Sequence, residues 1–137
     1  MAQLVRFGVS LEKDLLYRFD SRLREKKYTN RSEAIRDLIR EGLVKKQWEE
    51  GSQIAGTITM IYDHHKRELV NKLMNLQHDF GAIIISSSHI HLDHNNCLEI
   101  IAVKGSPKEA QKLADSLRSV KGVKHGTLSM STTGKNI

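Results

Sequence analysis

The chain contains one cysteine and one proline, and only 5% of its 137 residues are aromatic. A lone cysteine excludes an internal disulfide, so a stapled secreted scaffold is out and a reducing cytoplasm is the simplest home. No apolar run approaches the roughly 20 residues that a membrane-spanning helix needs. The opening MAQLVRFGVS also lacks the basic-then-apolar layout of a signal peptide. Neither half is strongly charged: 12 basic and 9 acidic residues stand up to position 50, and 10 and 7 beyond it. The net charge of +6 favours nucleic acid over an acidic partner, without saying which half meets it. What is plentiful is apolar residues, at 39%, enough for a packed core and too many for a disordered chain.

In LVRFGVSL, residues 4 to 11, Val5, Phe7 and Val9 alternate with Arg6, Gly8 and Ser10. That period of two predicts a half-buried strand. From Leu11 the period becomes helical through Leu15, Leu16, Phe19 and Leu23. Asn30 to Glu33 reads as a capping box opening a second helix, striped by Ala34, Ile35, Leu38, Ile39 and Leu43. A single strand ahead of two helices has no partner in its own segment, and both edges would be left unpaired. Pairing with the same strand of a second chain resolves this. It gives an antiparallel ribbon whose outer face carries Arg6, Gly8 and Ser10, of a size that fits the major groove of DNA.

Residues 4 to 46 resemble ribbon-helix-helix DNA-binding domains, most specifically in YTNRSEAIRDLIREGL. The resemblance implies a dimeric βαα unit. It further implies that Asn30, Arg31 and Ser32, at the start of the second helix, offer backbone amides to a DNA phosphate, a use that helix N-termini support physically.

Around WEEGSQIAG the helical pattern stops, and Gly51, Ser52 and Gly56 mark a linker. The expected organisation is residues 1–48 as the first domain, 49–55 as linker and 56–137 as the second domain. Within the latter the patterns predict a strand (54–62), a helix (about 65–78), strands (82–92 and 97–104), a helix (about 107–120) and a strand (123–131). Pro107 and Gly122 bracket the last helix. A βαββαβ order implies an α+β, ferredoxin-like sandwich with two helices on one face of an antiparallel sheet. The other face is bare unless a second subunit covers it.

HIHLDHNNC, residues 89 to 97, holds the only cysteine and three of the seven histidines. If Ile90, Leu92, Leu98 and Ile100 face the helices, then His89, His91, Cys97 and Glu99 share the opposite face. Two residues along a strand span about 6.6 Å, so both imidazoles can reach one ion, and the hairpin brings Cys97 beside them. Nitrogen and sulfur donors suit zinc, copper and nickel alike.

Together, NRSEAIRDLIR, HHKREL, the QH of LQH, HIHLDHNNCLEI and GVKHG resemble the nickel-responsive transcriptional regulators of bacteria and archaea, over residues 4 to 131. That resemblance implies an ACT-type second domain that assembles a homotetramer, a dimer of dimers. It implies one Ni(2+) per subunit, held in a square plane by His89, His91 and Cys97 of one subunit and His78 of a neighbour. Such a plane suits Ni(II) and Cu(II), whereas zinc prefers a tetrahedron. Glu99 is a candidate for orienting a ligand. Arg6, Gly8 and Ser10 fall where the family reads bases; Gly8 departs from the usual hydrogen-bonding side chain there. Lys66 and Arg67 fall where the family touches DNA phosphates, and Glu33 and Asp37 where it holds a weaker cation. The functional expectation is therefore a cytoplasmic, nickel-dependent regulator that binds operator DNA and represses nickel-uptake genes, with no organic substrate. A copper-responsive regulator on the same scaffold is the alternative. A metalloenzyme would need an open coordination position and a placed base, and a toxin-binding antitoxin would need a clasping tail in place of a folded second domain.

Overall fold

A computed structural model describes residues 2–137. The chain divides into two compact units, Met1–Glu41 and Gly42–Ile137. The first is built on α1 (Lys13–Glu25) and the opening turns of α2, a helix that runs over Arg31–Glu50. Asn30 caps α2 by accepting the Glu33 backbone N–H at 2.9 Å. The Glu33 carboxylate completes the box differently from the expectation, accepting from the Thr29 hydroxyl at 3.0 Å. Arg31 donates twice to Asp20, at 2.9 and 2.8 Å, tying the start of α2 to α1.

Ala2–Glu12 carry no regular secondary structure, against the strand expected over residues 4 to 11. The physical reason is the one that called for a second chain. No strand in this unit offers a ladder partner, so Val5, Phe7 and Val9 stay 80%, 71% and 60% exposed. Only Leu23 and Ala34 are buried in the helices of this unit.

The second unit has the elements β1 (Ile54–Tyr62), α3 (Arg67–Asp79), β2 (Ile84–Asp93), β3 (Asn96–Gly105), α4 (Pro107–Arg118) and β4 (His125–Met130). They form one antiparallel four-stranded sheet in the order β2-β3-β1-β4, the ferredoxin-like topology. Ser106 caps α4 by accepting from the Glu109 N–H, with Pro107 in the first turn where its missing N–H costs nothing. The core packs Ile54, Ile58, Met60 and Tyr62 of β1 and Ile101 and Val103 of β3 against Leu69 and Leu73 of α3 and Leu113 and Leu117 of α4.

Two boundaries differ from expectation. Helix α3 starts at Arg67 and not near His65, because the Asp63 side chain accepts the His65 backbone N–H at 2.9 Å in a local turn that holds His64 and His65 outside the helix. Helix α2 continues through Glu50, past the residue where the linker was expected to begin. It ends in a Schellman cap: Gly51 takes φ +81° and the Ser52 N–H donates to the Gln47 carbonyl at 3.1 Å. The end of the chain meets these last turns. Trp48 Nε1 donates to the Ser131 carbonyl at 2.8 Å, Gln47 Nε2 to the Lys135 carbonyl at 3.0 Å, and the Thr132 hydroxyl to Gln47 Oε1 at 2.9 Å. The indole lies over Gly56, where a Cβ would stand 3.4 Å from its ring.

Candidate metal centre

The hairpin of β2 and β3 sets His91 directly opposite Cys97 and His89 directly opposite Glu99. Residues paired in this way point to the same side of a sheet, so the four side chains share one face. That face is the helix-covered one, which reverses the expected assignment. Cys97, Glu99, Ile101 and Val103 are buried beneath the helices, while Ile90 and Leu92 are 43% and 53% exposed on the open side. A carboxylate at position 99 reads as solvent-facing, but here it is 1% exposed. Burying a carboxylate demands hydrogen-bonding partners, and Glu99 has them. The Tyr62 hydroxyl donates to Oε1 at 2.6 Å and Gln77 Nε2 donates to Oε2 at 3.1 Å. His89 Nε2 lies 3.4 Å from the same Oε2.

Glu99 is thus a hub joining β1, β2 and α3. Gln77 immediately precedes His78, which stands exposed in the last turn of α3. His78 and His89 line one cavity of about 460 Å³, with Gln77, Glu99 and Tyr62 along its polar side. Burial, reinforced by the bond to Glu99, pushes the Tyr62 hydroxyl far above its usual range, so it remains a donor. Burial likewise pushes the Cys97 thiol up, partly countered by a backbone hydrogen bond from Ile90. An ion taken by Cys97 therefore displaces a proton.

His91 also lies beside the histidines that precede α3. The ring centroids of His64 and His91 lie 4.4 Å apart, those of His64 and His65 4.1 Å, and those of His65 and His94 4.7 Å, each pair tilted and not parallel. Donor atoms of Asp63, His64 and His65 all lie within 4.8 Å of one another. His64 Nδ1 is buried with no hydrogen-bond partner among the described residues, and desolvation lowers the pKa of its ring. The signal available was DHH ahead of a helix, which shows as a cluster only once Asp63 has turned the chain. By donor type, two imidazoles and a buried thiol on one sheet face suit a borderline divalent metal such as nickel or copper, while among the described residues only Asp63, His64 and His65 bring three donor atoms within 4.8 Å of one another.

The remaining site candidates lie in the first unit or at the start of α3. Arg6, Gly8 and Ser10 are exposed in the N-terminal segment, and Asn30, Arg31 and Ser32 at the start of α2. Arg31 commits its guanidinium to Asp20, leaving the backbone as what that turn offers. Lys66 and Arg67 are the N-cap and first residue of α3, both exposed. Glu33 and Asp37 share a shallow depression of about 240 Å³ with Tyr28, Arg36 and Arg40. The Tyr28 hydroxyl donates to Asp37 at 2.6 Å, a bond that raises the tyrosine pKa.

Residues 55–131 match the family model described as the NikR C-terminal nickel binding domain, and residues 5–46 match that of ribbon-helix-helix proteins of the copG family. A protein of Syntrophus aciditrophicus is 57% identical over 135 residues, covering 98% of both chains. One of Chlorobium limicola is 58% identical over 134 residues, covering 98% of this chain and all of the other. One of Pyrococcus furiosus is 53% identical over 135 residues, covering 98% of both. Each bears the name "Putative nickel-responsive regulator". An uncharacterized protein of Thermotoga maritima shares the fold over 56% of this chain and 95% of its own, with a TM-score of 0.51 at 14% identity. With both halves matched in order and relatives this similar over nearly their whole length, the chain belongs to the nickel-responsive regulators, a non-enzymatic family that joins a ribbon-helix-helix domain to a nickel-binding domain.

Proposed function

We propose that the chain is a cytoplasmic, nickel-dependent, sequence-specific DNA-binding regulator that represses nickel-uptake genes. The observation that carries this reading is the pairing of His91 opposite Cys97 and His89 opposite Glu99 on one sheet face, inside the domain matched by the nickel-binding family model. One Ni(2+) per subunit is held by His89, His91 and Cys97, with His78 supplied by a neighbouring subunit and Glu99 orienting His89. Copper is the second reading, because the same nitrogen and sulfur donors accept it.

The assembly is a homotetramer, a dimer of dimers. Two features support it: the uncovered apolar side of the N-terminal segment, and the open sheet face with Ile90 and Leu92. Paired N-terminal segments present Arg6, Gly8 and Ser10 to the major groove of operator DNA, and the start of α2 at Asn30–Ser32 lies against a phosphate. Because Gly8 has no side chain to offer, base selection falls to Arg6 and Ser10. Glu33 and Asp37 serve as a second, weaker cation site. The short segment 51–53, between the end of α2 and the start of β1, joins the helices of the DNA-binding domain to the sensor domain.

A bound ion supplies a positive cross-link among donors from two subunits. His78 near the end of α3, once committed to that centre, fixes the helix whose start presents Lys66 and Arg67. Those two cations then meet DNA phosphates from a held position, which strengthens DNA binding by as much as the metal prefers the arrangement in which they do so. The test is an absorption titration of metal-free protein with Ni(II), beside a Cys97→Ala variant. A thiolate charge-transfer band saturating at one nickel per chain, absent from the variant, is the expected result. A spectrum indifferent to Cys97 would overturn the assignment of the centre.

A further inference from the structure

The hairpin turn that separates His91 from Cys97 is held from outside the hairpin. Lys124, just ahead of β4, donates from Nζ to Asn96 Oδ1 at 2.6 Å and reaches the Asn95 carbonyl at 3.4 Å. Its own backbone N–H is fixed to the Ile61 carbonyl at 2.8 Å, so the side chain crosses the end of β1 to reach the turn. Asn96 in turn donates from Nδ2 to both carboxylate oxygens of Asp93 at 2.9 Å, and the Asn95 N–H donates to Asp93 Oδ1 at 2.9 Å. The ammonium, the amide and the carboxylate form a continuous chain from β4 to the turn.

What this chain holds is the part of the hairpin with least support of its own. The β2–β3 register shifts between His91 and Asp93, and a bulge of that kind leaves the ladder locally unpaired and able to bend. Cys97 follows Asn96 directly, and His91 stands two residues before Asp93. Any slack in the turn therefore becomes slack between the thiolate and the imidazole. A metal centre depends on such spacing being set before the ion arrives. A positively charged donor is well suited here, since it bonds the Asn96 oxygen while Asn96 spends its two N–H groups on Asp93.

We propose that Lys124 is a positioning residue of the metal centre: by tying the Asp93–Asn96 turn to the end of β1 and the start of β4, it fixes the separation of His91 and Cys97. It contributes no ligand. The proposal rests on the metal reading given above.

The test compares the full-length chain with Lys124→Met, Lys124→Arg and, as a control at a nearby exposed lysine, Lys121→Met. Nickel affinity is measured by competition with a chelator, and the thiolate band is recorded for each. Amide exchange at Asn95 and Asn96 is followed by NMR in the metal-free proteins, whose melting temperatures check that each variant folds. Lys124→Met is expected to weaken nickel by roughly tenfold, the scale on which outer contacts act on metal sites. It should also shift the band and speed exchange at the turn. Lys124→Arg should recover most of the affinity, and Lys121→Met should match the parent. Wild-type affinity and spectrum in a folded Lys124→Met would overturn the proposal, as would an equal loss in Lys121→Met, which would make the effect one of net charge. Failure of the metal reading itself is separable, because it shows in the unmutated chain as no nickel binding at all.

Discussion

Glu99 shows how a single residue can be legible in one respect and misleading in another. Strand periodicity and the short turn place it on the same face as His89, His91 and Cys97, and the register has it there. Which face that is was not legible, because Leu98 and Ile100 make as good an apolar set as Ile101 and Val103, and a carboxylate tips the choice outward. The tie is broken by Tyr62 and Gln77, 37 and 22 residues away, which satisfy the carboxylate in the core. No local pattern carries that information. The same holds for Asp20 and Arg31, 11 residues apart and bonded twice. Here the chemistry gives a pH dependence. Arg31 holds the Asp20 carboxyl below its usual value of 3.8 in the folded state. A carboxyl depressed on folding contributes stability above its unfolded value and loses it as pH falls through the folded one. Melting curves of the parent and Asp20→Asn should therefore differ most near neutral pH, and the gap should close in acid. Because the pair is exposed, salt should narrow the gap as well. A gap that persists unchanged at pH 2 would contradict the assignment.

Among the elements, β1 and α4 match the sequence expectation closely: β1 lies where the strand was expected over 54–62, and α4 begins at Pro107, which with Gly122 brackets it. The N-terminal strand and the end of α2 do not, and for one shared reason. Each depends on a partner that local sequence does not name. The strand needs a second ladder, which the single chain lacks. The last turns of α2 are held by residues 131–135, more than 80 positions downstream. Two glycines of this helix region should respond in opposite directions to alanine. Gly51 sits at φ +81° in the Schellman cap, so Gly51→Ala should destabilise by about 1 kcal/mol and lower the melting temperature by a few degrees. Gly42, inside the helix, has nothing within 4 Å of a built Cβ and no positive φ. Gly42→Ala should be neutral or stabilise by about 0.5–1 kcal/mol. Thermal melts by circular dichroism decide both, and a Gly51→Ala that melts with the parent would show that the cap does not hold the end of α2.

At the scale of the molecule, the two units differ in how much they can do alone. The second has a closed core of 13 buried residues, whereas the helices of the first bury only Leu23 and Ala34 and leave Leu15, Leu38 and Ile39 about half exposed. The sequence foreshadowed this, since a single strand ahead of two helices has no partner in its own segment. The proposed function requires the centre built on His89, His91 and Cys97 to be energetically coupled to the DNA-facing residues. Coupling is reciprocal: if nickel raises affinity for DNA by some factor, DNA raises affinity for nickel by the same factor. The direct measurement is nickel affinity with and without a saturating DNA fragment selected from a random pool by the nickel-loaded protein. Nickel is expected to bind more tightly in the presence of that DNA, an effect lost when Lys66 and Arg67 are both changed to alanine. Identical nickel affinity with and without DNA would contradict the coupling.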